Sequence, residues 1–203
     1  MHLISKIASD INLKARIALR VNPNVNAKTH PYISTGLKHN KFGLDPFELK
    51  AILSEYHYFK RNVHFQGFGC HIGSQIVRAE PFKLAWKYLI DLSKNAPFRV
   101  THLNLGGGLG ISYGIESENF TIEEYCKLIV KMFANSQFKL GIEPGRSIAA
   151  PSGILVSSVL RVKSRKNKHF LVLDAGMNDL IRPALYGSEH LIVPVRYNGS
   201  LDP

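Results

Sequence analysis

Apolar residues recur along this chain with two alternating periods, and that alternation sets the reading of the rest. Leu3, Ile4, Ile7, Ala8 and Ile11 fall at helical spacing with no start signal before them, so 1–14 reads as the tail of a helix. ARIALRV at 15–21 is a buried strand stopped by Asn22-Pro23-Asn24, and the polar stretch 29–43 is a loop. Asp45-Pro46-Phe47-Glu48 combines an N-cap, a proline at the first helical position and a glutamate two residues beyond it; the helix it starts carries Leu49, Ile52, Leu53 and Tyr56 on one face. A second strand, VHFQGFGCHI at 63–72, has glycines where another backbone or a ligand comes close. The next helix, about 81–95, has a stripe of Phe82, Ala85, Trp86, Leu89 and Ile90. A third strand at 100–105 runs into Gly106-Gly107-Gly108-Leu109-Gly110. Thr121 and Glu124 then form a capping box for a helix with Tyr125, Leu128, Ile129, Met132 and Phe133 inward. The fourth strand, 139–143, reads as short and buried, and it breaks off at Glu143-Pro144-Gly145.

Four strands alternating with three helices imply a parallel β/α architecture. After Arg146 the rhythm changes: GILVSSVLRV at 153–162 and HFLVLD at 169–174 are β-rich with no helix between them, so an antiparallel β-domain is expected from residue 150 onward. The expected domains are therefore 1–149 and 150–203. Four β/α units do not close a barrel, and both sheet edges would expose unpaired backbone; the expectation is a piece of a larger fold that associates through those edges.

Composition narrows the class. The 203 residues are 45% hydrophobic, enough for a substantial core, and no run of about 18 apolar residues or signal-peptide pattern is present, so a cytoplasmic protein with no membrane partner is expected. Two cysteines, Cys70 and Cys126, give neither a disulfide framework nor metal-ligand spacing, and the nine histidines show none either. The formal net charge of +11 would suit a nucleic-acid binder or an enzyme for anions. Its distribution favours the second, because Lys and Arg are scattered and the densest cluster, VKSRKNKH, reads as a solvated hairpin tip with no nucleic-acid recognition motif.

Three groups of residues could carry chemistry. Glu143 and Arg146, after the fourth strand, suit either a pocket or a surface turn with an internal ion pair. The triglycine suits either an anion cradle or a flexible loop, and its spacing is not that of the dinucleotide fingerprint. His71, followed by Gly73 and Ser74, is either a satisfied core histidine or a site residue, and Cys70 points to the opposite strand face, against a Cys/His nucleophilic pair. All three groups, however, follow the C-terminal ends of successive strands and would share one mouth on a barrel. A histidine face, a phosphate cradle and a carboxylate beside an arginine suit a flat, phosphorylated, nitrogen-containing cofactor.

HIGSQ at 71–75, LGGGLG at 105–110, EPGRS at 143–147, DAGMNDLIRPALYG at 174–187 and RVNPNVNAKTHPYISTGLKHNKFG at 20–43 together resemble the diaminopimelate decarboxylases, pyridoxal-phosphate enzymes of fold type III with an alanine-racemase-like barrel. The resemblance covers nearly the whole chain. It implies an α/β fold comprising the C-terminal half of a (β/α)8 TIM-like barrel and the start of an antiparallel β-domain. The implied cofactor is pyridoxal 5′-phosphate, held by His71, Ser74, Gly107, Gly108, Glu143, Gly145 and Arg146. His71 would stack on the ring, Ser74 and the glycine amides would hold the phosphate, and Glu143 would face the ring nitrogen. Arg146, Arg182 and Tyr186 match positions that contact the substrate carboxylate, and a helical turn would place Arg182 and Tyr186, four apart, on one face. The implied reaction is decarboxylation of meso-diaminopimelate to L-lysine by a homodimer.

The chain also departs from that pattern. No lysine matches the family's cofactor-linking motif, neither Cys70 nor Cys126 replaces the family's catalytic cysteine, and the final YNGSLDP drifts. No catalytic residue is therefore assigned, and little turnover is expected from this polypeptide alone unless a companion chain supplies the rest. The alternative is a non-catalytic remnant, or a cofactor-binding or interaction module.

Overall fold

The computed structural model describes residues 1–25, 42–113 and 120–196. The loop expected over 29–43 and its family motif lie mostly outside these residues, as does YNGSLDP. The described residues divide into two units, one formed by 1–25, 42–111 and 120–153 and the other by 112–113 and 154–196.

The first unit is a four-stranded, all-parallel sheet in the order β1-β2-β3-β4, formed by Ala15–Arg20, Val63–Gly69, His102–Asn104 and Lys139–Gly141. Its helices are α1 (His2–Asp10), α2 (Pro46–Ser54), α3 (Tyr56–Phe59), α4 (Ala79–Lys94), α5 (Ile122–Phe133) and α6 (Arg146–Ala149). Sequence order and sheet order coincide, so the four strand ends form one row. Both capping boxes are present: Asp45 accepts from the Glu48 N–H at 2.8 Å and Glu48 accepts from the Asp45 N–H at 3.0 Å, with the same reciprocal pair between Thr121 and Glu124.

The core lies where the helical stripes meet the sheet. Phe82, Ala85, Trp86 and Leu89 of α4 and Tyr125, Leu128 and Phe133 of α5 are buried against Phe68, Leu103 and Leu105. Trp86 donates its indole N–H to the Leu105 carbonyl at 3.1 Å and packs edge-on against Tyr125, ring centroids 5.4 Å apart. Burial pushes the Tyr125 phenol up to about 12.

One expectation of burial fails in this unit, that of β4, and α1 is exposed as well. Of the apolar residues in α1, Ala8 is buried while Leu3, Ile4, Ile7 and Ile11 are exposed; the helix turns Ser5 and Ala8 to the sheet, Ser5 receiving the Asn62 amide at 3.3 Å. Strand β4, expected to be buried, is exposed throughout, with Leu140 38% and Ile142 50% exposed. It is an edge strand, paired on one side with β3, and the described residues leave its faces open. Its backbone nonetheless stays paired past the break, since the Glu143 N–H donates to the Gly106 carbonyl at 2.9 Å.

The second unit contains the antiparallel pair β5 (Val159–Arg165) and β6 (Lys168–Leu173). The basic cluster occupies its tip, as the charge pattern indicates. The strand starts later than the apolar run 153–162 suggests. Asp174 accepts from the Ser158 N–H at 2.8 Å and the Ser157 hydroxyl at 2.7 Å, so a side chain takes over where a ladder partner would be needed. These bonds hold the Asp174 carboxyl below the usual carboxylate range. Helix α7 (Arg182–Tyr186) follows and ends on Gly187 at φ +58°, a left-handed cap. No helix among the described residues is long and apolar enough to cross a membrane.

Candidate functional site

The C-terminal ends of the four parallel strands surround a cleft of about 100 Å³ lined by Ala18, Arg20, Gly69, Cys70, His71, Asn104 and Glu143. Each strand contributes at or just past its last residue. That is where the chain must leave the ladder and where open backbone and side chains can face a ligand.

Behind the cleft, the triglycine packs against the neighbouring strand ends. A Cβ on Gly106 would lie 2.1 Å from the Cys70 carbonyl oxygen, one on Gly107 1.9 Å from that of Glu143, and one on Gly108 2.1 Å from that of Gly73. Gly106 and Gly108 also adopt φ of +73° and +99°. Neither a loose loop nor a glycine run merely leaving space for a ligand describes this turn, which is wedged between two loops.

His71 and Glu143 are brought together. The Gly107 N–H donates to His71 Nδ1 at 3.3 Å, which places the ring proton on Nε2 and leaves the imidazole neutral. Glu143 Oε2 stands 3.8 Å from the same Nδ1, within ion-pair distance, but a neutral ring whose Nδ1 already accepts a hydrogen bond forms no ion pair there. Burial, and then the Arg20 charge, lower the His71 pKa from its ordinary 6.5, against an opposing pull from Glu143. Between that lowered value and 6.5 the unfolded chain binds more protons than the folded one. Stability attributable to His71 is therefore full above pH 6.5 and falls as the pH drops through this window. Urea titrations at pH 7 and pH 5 should show this loss in the parent and a smaller one in His71→Gln.

Asn104 joins the remaining pieces, donating from Nδ2 to Glu143 Oε1 at 2.7 Å and accepting from the Gly106 N–H at 2.8 Å. Arg146 Nη1 donates to Gln75 Oε1 at 2.9 Å, and Gln75 also ties down Ile111 through its side-chain amide. The two charges of the EPGR turn are thus engaged by different partners rather than forming only an internal pair. Gly145 precedes α6, with nothing within 4 Å of where its Cβ would stand. Cys70 belongs to the apolar core, and burial pushes its thiol up to about 12, so it stays protonated beside His71.

Arg182 and Tyr186 belong to the second unit and form a pair of their own on α7, the guanidinium 5.3 Å from the ring centroid. Arg182 Nε is buried with no hydrogen-bond partner among the described residues. Sequence reasoning missed Arg20, Asn104 and Gln75. The available signal was position: Arg20 and Asn104 are the last residues of β1 and β3, and Gln75 closes the HIGSQ motif.

The donor set fits a phosphorylated pyridine. The Ser74 hydroxyl and the Gly108 N–H have no hydrogen-bond partner among the described residues, so both are available to an anion. A neutral imidazole and a fixed carboxylate face the same cleft.

Comparisons with known proteins give the family. Residues 1–150 match the family model of the pyridoxal-dependent decarboxylase pyridoxal-binding domain. Diaminopimelate decarboxylase of Aquifex aeolicus is 40% identical over 200 residues, covering 96% of this chain and 47% of the relative. That of Vibrio cholerae is 42% identical over 196 residues, covering 95% and 47%. The crystal structure of diaminopimelate decarboxylase from Helicobacter pylori complexed with L-lysine superposes with a TM-score of 0.79 at 38% identity, covering 92% of this chain and 47% of that one. The chain spans about half the length of the curated relatives it matches.

Proposed function

The chain belongs to the pyridoxal-dependent decarboxylases, and from that premise we propose that it forms the phosphate- and ring-binding part of a diaminopimelate decarboxylase, which releases carbon dioxide from meso-diaminopimelate to give L-lysine. The observation that supports this most is the convergence of His71, Asn104 and Glu143 on one cleft at the strand ends, with the glycine turn hydrogen-bonded behind it. When bound, pyridoxal phosphate supplies an electron sink for the carbanion left as carbon dioxide departs.

The chain's own residues bind and orient. His71, held neutral through the Gly107 N–H, offers a flat uncharged face for stacking. Ser74 and the Gly108 N–H would hold the phosphate, with Gly145 and Arg146 closing the same side. Glu143 would hold a proton at the ring nitrogen, since an adjacent carboxylate favours the cationic form. The Gly107 amide already serves His71, so its share in phosphate binding is through the shape of the turn. Arg146, Arg182 and Tyr186 would receive the substrate carboxylate, the planar guanidinium matching it in two contacts. The strands are read as four of a (β/α) barrel, 1–149, followed by a β-domain, 150–203, in a cytoplasmic homodimer or a complex with a companion chain.

The test is carbon dioxide release from meso-diaminopimelate by the chain with pyridoxal phosphate, alone and mixed with a polypeptide carrying the cofactor-linking lysine. We expect lysine as product, chiefly in the mixture, and none of the corresponding amines from ornithine or arginine. Turnover of ornithine or arginine in place of diaminopimelate, or none in either arrangement, would refute the assignment.

A further inference from the structure

We infer that Asn104 is a positioning residue, one amide that fixes the Glu143 carboxylate and the glycine turn in a common register at the cleft. The inference rests on the reading of Glu143 as the partner of a ring nitrogen. Asn104 ends β3, which lies between β2 and β4 in the sheet, and its Oδ1 accepts from the Gly106 N–H at 2.8 Å while its Nδ2 donates to Glu143 Oε1 at 2.7 Å. The amide orientation is forced, because the opposite one would set donor against donor at Gly106 and acceptor against acceptor at Glu143.

The slot around Asn104 is equally specific. A Cβ on Gly69 of β2 would come within 2.9 Å of the Asn104 Cβ, so a glycine on that strand makes room for this side chain, while a Cβ on Gly141 of β4 would meet its Cγ at an ordinary contact distance of 3.8 Å. Glu143, by contrast, is 55% exposed and has rotatable bonds that the cleft leaves unconstrained. With Oδ1 anchored on the turn, Nδ2 can point in only one direction, and the carboxylate is held there before any ligand arrives. Other charged or titratable groups at the cleft are Arg20 from β1, and the Cys70 thiol and His71 after β2.

Two probes separate positioning from general support: pyridoxal 5′-phosphate and its 1-deaza analogue, in which CH replaces the ring nitrogen. Asn104→Asp keeps the acceptor for Gly106 but sets a second carboxylate against Glu143. It should weaken the first probe about tenfold and the analogue less than twofold, a loss on the scale of one charge-assisted hydrogen bond. Asn104→Leu, which also releases Gly106, should weaken both. Equal effects of Asn104→Asp on both probes, or on neither, while Glu143→Ala still distinguishes them, would overturn the inference. Failure of Glu143→Ala to distinguish them would instead remove the reading of Glu143 on which it rests. A ligand-free measurement decides independently: the Asn104 side-chain N–H should exchange slowly with solvent and faster in Glu143→Ala, and equal exchange in the two proteins would overturn the inference.

Discussion

Gly107→Ala is expected to cost about 4 kcal/mol of stability, in the range reserved for substitutions with a named steric cause. The Cβ would lie 1.9 Å from the Glu143 carbonyl oxygen and 2.9 Å from its carbon, and both are backbone atoms, so no side chain can swing aside. Relief requires the turn after β3 to move away from the strand end that carries Glu143. The same shift would pull the Gly107 N–H from His71 and disturb the Asn104 bridge, so pyridoxal phosphate binding should be lost even where the protein is still folded. Urea denaturation and cofactor titration check the two halves of this expectation. A stable variant that binds normally would show that the turn is free to move.

Trp86→Ala should be comparably damaging, about 3–5 kcal/mol by the behaviour of buried aromatic truncations. Trp86 is fully buried, contacts the Phe82, Tyr125 and Phe133 rings, and leaves the Leu105 carbonyl without its donor when removed. Leu105 is the residue before the glycine turn, so this loss reaches the cleft as well as the core. Trp86→Phe separates the effects: it restores most of the volume and none of the hydrogen bond, and should cost distinctly less. Thermal melts of the two variants measure the difference; equal melting points would mean that packing at this position contributes little.

What the sequence made legible was local. Both capping boxes, the order of the parallel strands and the inward stripes of α4 and α5 follow from spacings within a few residues, and the structure has them. Exposure of α1 and β4 was not legible, because periodicity says which residues share a face and nothing about what stands opposite. The apolar run before Val159 looked like strand for the same reason. A strand exists only where a partner supplies the ladder, and there Asp174 caps the chain instead. At the site, the motifs identified His71, Ser74, the glycines and Glu143 by resemblance, but Asn104 stood outside the motifs and Arg20, though it opens the motif at 20–43, was given no role. Their place at the cleft comes from the register that aligns the ends of β1 and β3 with β2 and β4.

The most direct test of the account is an absorbance titration of the chain with pyridoxal phosphate, run beside a His71→Ala/Glu143→Ala double variant of verified fold. The account predicts saturable binding at one site in the parent chain and its loss in the variant. Equal uptake by both proteins, with borohydride fixing the cofactor to scattered surface lysines, would contradict the claim that the strand-end cleft is the cofactor site.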